Sequence, residues 1–206
     1  MLMFLVLFVV FAGVAAACWF QGLWSCAINV INITMAGLIA TNFWEPLANL
    51  IESNAGTENT HLYDVPVLWG IFAITFILLR SLTGALSEHN VQFIKPVELA
   101  GRSVLAIWCG WVFTCFAAFT LLTAPVGAHP LGAWTSADSK SFLFMAPERQ
   151  WLALAQSRSR GALSRGKFSS APSHPDDQPM NVEAFDPFSN FTFRYGVRRL
   201  QGGGGT

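Results

Sequence analysis

The sequence predicts an all-α membrane protein: four transmembrane helices in a small bundle, then a mostly irregular C-terminal tail that holds a short amphipathic helix. Three observations predict it. Positions 1–44 contain no Asp, Glu, Lys or Arg; the first charged residue is Glu45 and the first basic one is Arg80. Water-exposed surfaces need such groups, whereas hydrocarbon penalises each by several kcal/mol. Charged residues make up 12% of the 206-residue chain and mean hydropathy is +0.45, against about 25% charged in an average soluble domain. The shortage is concentrated before position 125, where four apolar runs approach the roughly 20 residues a spanning helix needs.

The first run covers 3–20. Its end, FLVLFVVFAGVAAAC before Cys18, also fits a secretory signal or a lipoprotein cleavage site. No basic stretch precedes it, and the residues that follow (WFQGLW) are bulky and apolar, so a retained span is the expectation. After the break Gln21-Gly22, the second run covers 25–44. The third covers 66–84, with Pro66 placed to open a helix. The fourth covers 102–123 and stops before Pro125. Trp19, Trp24, Trp44, Trp69 and Trp108 fall near proposed ends, where amphipathic rings favour the membrane interface. The runs are uniformly apolar and helix-length, which argues against a buried sheet.

Two stripes of small and polar residues suggest helix contacts. Ser25, Asn29, Asn32, Ala36 and Ala40 recur at helical spacing on the second run, as do Ser103, Ala106, Gly110, Thr114 and Ala117 on the fourth. Small residues let membrane helices approach closely, and Asn or Thr can bond across the contact, contributing on the order of 0.6–2 kcal/mol each. The alternative use of Asn29 and Asn32 is a polar path for a solute. No ionisable residue stands in the middle of a run, which leaves little for a proton relay. Cys18, Cys26, Cys109 and Cys115 all sit in apolar runs without zinc-like spacing and read as small packing residues.

Loop charges set the orientation. The segment 45–65 carries Glu45, Glu52, Glu58 and Asp64 without Lys or Arg, whereas Arg80, Lys95 and Arg102 bracket the next connection. The Lys/Arg bias puts that second connection in the cytoplasm and both termini outside.

The tail, 126–206, reads as a separate polar region. PERQWLALAQS, from Pro147 to Ser157, has Pro at its start and Trp151, Leu154 and Ala155 on one side. It suits either a helix on the membrane surface or one packed on the bundle's loops. The segment 166–181, rich in Pro, Ser and Asp, suits a flexible linker. Alternation of Phe191, Phe193 and Tyr195 with Thr192 and Arg194 suggests a short strand. Arg194, Arg198 and Arg199 are candidates to touch acidic headgroups or a partner. The Gly-rich end, 202–206, suits disorder.

Chemical motifs are sparse. There is no HExxH, GxSxG, Walker loop or dinucleotide fingerprint. Glu88-His89 lacks a third ligand, and the other histidines are isolated. No metal or cofactor is therefore expected, and no catalytic residue. The formal net charge of zero gives no field toward nucleic acid. The expected partners are the lipid bilayer and a membrane protein or a second copy of the chain.

The order of parts resembles the colicin V production family of bacterial inner-membrane proteins. The corresponding pieces are FQGLWSCAINVINITMAGLIA, VPVLWGIFAITFILLRSLTGAL and VELAGRSVLAIWCGWVFTCFAAFTLLTAPVG. The resemblance covers about 3–127. Where that family carries basic residues and a glutamate around the first turn, this chain has Gln21, Gly22, Ser25 and Cys26. Gly101 and Gly110 keep part of the family's glycine pattern before the fourth span. The resemblance implies a non-enzymatic inner-membrane accessory or scaffold in bacteriocin production, export or envelope upkeep. The rival reading is a small channel or transporter subunit with a polar path at Asn29 and Asn32.

Topology follows directly from these charges. Reporter fusions after Asn54 and in the tail are expected to report outside, and a fusion after Asn90 inside. Fusions that place Asn54 and Asn90 on one side would remove the third span.

Overall fold

The computed structural model describes residues 2–55, 60–86, 94–123, 142–143 and 145–159, with Leu163, Phe185 and Phe191. Its helices are α1 (Leu2–Gln21), α2 (Leu23–Ala55), α3 (Thr60–Leu86), α4 (Lys95–Thr123) and α5 (Pro147–Ser159). The described residues form no strand; Phe142 and Met145 make one isolated bridge. Four helices are long and apolar enough to cross a membrane: Met3–Gln21, Leu23–Ala48, Val65–Leu86 and Lys95–Leu121. The chain is a multi-pass membrane protein.

Three helix boundaries differ from the sequence reading. α2 runs on through Pro46 to Ala55. At about 1.5 Å per residue its 33 residues reach well past the hydrocarbon. α3 begins at Thr60, so Pro66 lies inside the helix rather than opening it. α4 starts at Lys95, with Glu98 in its first turn, where a carboxylate meets the positive end of the helix dipole.

The chain reverses between α1 and α2 through one residue. Gly22 has φ of 88°, a conformation that costs a residue with a Cβ. Its carbonyl then accepts the Cys26 N–H at 3.0 Å, which starts α2. α2 and α4 form the central pair; α3 lies along α2, and α1 along α4. The arrangement is thus closer to a row, α3–α2–α4–α1, than to a closed square. α1 and α3 run one way, α2 and α4 the other.

Small residues set the close approaches. A Cβ on Gly110 would stand 2.9 Å from the Phe11 backbone carbonyl oxygen and 3.2 Å from the Ala15 Cβ. Main-chain atoms cannot swing away, so α1 and α4 can meet this closely only at glycine. Ala36, Ala40, Ala106 and Ala118 are likewise fully or almost fully buried. Outward faces are apolar: Phe4, Val9, Ile74, Ile77 and Leu78 are exposed, as lipid contact requires. Trp44 departs from its proposed place at the interface and is 1% exposed.

Among the described residues of the tail, α5 is joined to the bundle. It packs on the sides of α4 and α2. Trp151 fills the notch above Gly37, where an added Cβ would lie 2.6 Å from the indole. The Trp151 Nε1–H donates to Thr41 Oγ1 at 2.9 Å, and its ring meets Phe116 edge-on at 5.4 Å. Gln150 Oε1 accepts from Trp111 Nε1 at 3.1 Å. Trp111 is mid-way along α4, so the first turn of α5 lies against the middle of the fourth helix. Backbone groups packed against a helix need partners. The turn before α5 finds them by pairing with itself: Phe142 N–H to Met145 O at 3.1 Å and Met145 N–H to Phe142 O at 2.8 Å. Leu143 takes a positive φ of 46° to close it.

Phe191, expected in a strand, has helical backbone and packs against Phe119 and Phe185. Phe193 and Tyr195, the linker 166–181, Arg194, Arg198, Arg199 and the end 202–206 lie outside the described residues.

Two glycines give a paired prediction. Gly110→Val forces α1 from α4 and is expected to lower stability in detergent by about 1–3 kcal/mol, the usual cost of overpacking. Gly13→Val, where an added Cβ meets nothing within 4 Å, is expected to leave the thermal melt in place.

Candidate functional site

The sequence stripe on α2 is buried where it was expected to be. Asn29 and Asn32 are 3% and 1% exposed, Ala36 is fully buried, and Ser25 is half-buried. What the asparagines bind is new information. Asn32 Nδ2 donates to Thr83 Oγ1 of α3 at 3.0 Å. Asn29 Nδ2 donates to Gln21 Oε1 at 2.7 Å, while Asn29 Oδ1 accepts from the Arg80 guanidinium. A second Arg80 nitrogen donates to Gln21 Oε1 at 3.2 Å. One guanidinium thus ties α3 to α2 and to the end of α1.

Arg80 therefore has a role the sequence concealed. With the third run taken as ending near it, Arg80 looked like a loop-facing charge. The span continues to Leu86, so the cation falls inside it. A charge at such a place needs partners, and two neutral amides supply them.

On α4 the stripe divides. Ala106 packs with Cys18, Cys26, Ile33 and Cys109. Gly110 makes the approach to α1. Thr114, which could have bonded across the contact, donates to its own helix, as does Ser103, to Gly110 O and Leu99 O respectively, both at 2.7 Å. A threonine or serine in a helix reaches the carbonyl four residues back more readily than a neighbouring helix.

Three thiols converge beside the Arg80 ties, at a level between Gln21 and Asn29. Cys18 precedes Gln21 by three residues and Cys26 precedes Asn29 by three, so each shares a helix face with its amide. Cys18 Sγ lies 2.9 Å from Cys109 Sγ, and Cys26 donates its S–H to the Cys18 carbonyl at 2.7 Å. All three are buried. The Arg102 guanidinium stacks on Trp19, next to Cys18, at 4.6 Å from the ring centroid. Spacing in the sequence gave no hint of this cluster, because it is built by helices that meet only in the fold.

A second polar group comes from α5. Glu148, in its first turn, is 2% exposed. Beside it an apolar groove of ≈ 830 Å³ opens between α4 and α5, lined by Phe11, Trp108, Trp111, Met145 and Leu154 with Gln150. Among the described residues no group of three His, Cys, Asp or Glu could hold a metal ion.

The Arg80 tie has a measurable signature. Asn29→Leu leaves the cation short of a partner and is expected to cost about 1–3 kcal/mol. Adding Arg80→Met is expected to recover most of that loss in thermal melts. Additive losses would show that the two side chains do not interact.

Compared with family models, with curated proteins and with solved structures, the chain matches none.

Proposed function

We propose that the chain is a non-enzymatic integral protein of the bacterial inner membrane, with both termini in the periplasm. It serves as an accessory or scaffold in an envelope process, bacteriocin production or export among them, as the resemblance to the colicin V production family implies. One observation carries the scaffold reading: the amides and the guanidinium of the Arg80 group, with Asn32 and Thr41, are engaged in ties between helices. Asn29 and Gln21 hold Arg80, Asn32 binds Thr83, and Thr41 binds Trp151. A solute path would need such groups turned toward an open, wet passage. The broad apolar faces of α1 and α3 are suited to lipid, a second copy or a partner helix.

The transporter reading rests on the same two asparagines and is tested with them. Full-length protein reconstituted in vesicles is expected to give no solute flux above empty vesicles. Photo-cross-linkers at Ile74 or Leu78, on the exposed face of α3, are expected to capture one discrete membrane-protein partner or a second copy. Flux that vanishes in Asn29→Leu with Asn32→Leu would replace the scaffold with a channel.

A further inference from the structure

We propose that Cys18 and Cys109 are a peroxide-oxidisable pair that closes into a disulfide between α1 and α4. The inference goes beyond the scaffold reading and does not rest on it.

The geometry selects this pair among the four thiols. The two sulfurs are 2.9 Å apart, closer than unbonded sulfurs rest, on helices held together by the glycine contact at Gly110. Cys26 is adjacent, but its S–H is committed to the Cys18 backbone carbonyl. Cys115 lies further along α4 with Gln150 Oε1 at 3.9 Å, and no other thiol bonds to it among the described residues. It is a built-in control.

The surroundings suit reaction at Cys18. Arg80 is anchored to Gln21, one helical turn from Cys18, and Arg102 covers Trp19, its neighbour in sequence. When a thiolate cleaves an O–O bond, negative charge develops on the departing hydroxide, and nearby guanidinium groups stabilise it. Burial selects the oxidant. Cys18 and Cys109 are 3% and 0% exposed, which bars a bulky disulfide or quinone and admits a small uncharged peroxide.

The chemistry balances in two steps. The Cys18 thiolate attacks one oxygen of hydrogen peroxide; an S–O bond forms, the O–O bond breaks, and hydroxide leaves, taking the thiol proton as water. The Cys109 thiolate then attacks the Cys18 sulfur; the S–S bond forms and the S–O bond breaks, releasing a second water. Two thiols are oxidised and one peroxide is reduced. The new bond joins positions 91 residues apart, fixing the first span to the last.

The test uses full-length protein in detergent. After peroxide treatment it is denatured, alkylated with N-ethylmaleimide, weighed intact and mapped by peptide. Adducts are expected to fall from the four free thiols to two, with loss of two hydrogens, a Cys18–Cys109 cross-linked peptide, and full recovery with dithiothreitol. Cys115 is expected to react at least about tenfold more slowly, since it lacks the cationic setting. In Cys109→Ser, Cys18 is expected to form a sulfenic acid, which dimedone traps when the protein is unfolded in its presence. The proposal is overturned by four adducts after treatment, by a bond from Cys18 to Cys26, or by equal loss of Cys115. Because mapping of the unmodified sequence decides between these outcomes, failure of a variant to fold does not affect the result.

Discussion

The arrangement depends on one reversal of the backbone. Gly22, with its positive φ, turns α1 back without a loop. α1 then lies antiparallel to α4, and its last turn faces α2. Three features require that placement: the Gly110 contact with the Phe11 carbonyl, the Cys18–Cys109 approach, and the Gln21 amide that completes the partners of Arg80. A longer connection would let α1 drift in the plane of the membrane, since lipid supplies no hydrophobic force to press helices together. A short, conformationally special hinge substitutes for that force.

The described core is held by two kinds of contact in different places. Toward the Gly22 end, amides, a guanidinium and thiols tie the helices through specific bonds. Toward the other end, Trp44, Leu68, Phe72, Phe116, Phe119 and Trp151 form one continuous cluster. Its rings meet in stacked and edge-on pairs, as with Phe72 and Phe116 at 4.6 Å. Packing of this kind supplies dispersion where the surrounding solvent is already apolar. Polar ties fix register at one end, and ring packing fills volume at the other.

Much of this was legible in the sequence, for physical reasons that can be named. Length and missing charge gave the four spans, because hydrocarbon filters residues by the cost of burying ions. The Asn29, Asn32 and Ala36 spacing gave a buried stripe, because a helix repeats its face every three or four residues. The start of α5 at Pro147 was readable from a residue that suits a first turn. Arg80 misled because a cation near the edge of an apolar run looks like its end; its neutral partners lie on other helices and leave no local trace. Pro66 misled because proline is tolerated within a membrane helix as well as at its start. The thiol cluster and the insertion of Trp151 could not be read at all. Both arise from contacts between residues more than ninety positions apart.

The seat of Trp151 bears on the order in which the helices pack. Its walls come from Gly37 and Thr41 on one span and Phe116 on another, so the socket does not exist until those two have met. The hydroxyl of Thr41 donates meanwhile to the Gly37 carbonyl at 2.8 Å, leaving the vacant socket without an orphaned donor. Seating of Trp151 therefore requires α2 and α4 to be already paired. α5 thereby clasps the two central helices through a single indole.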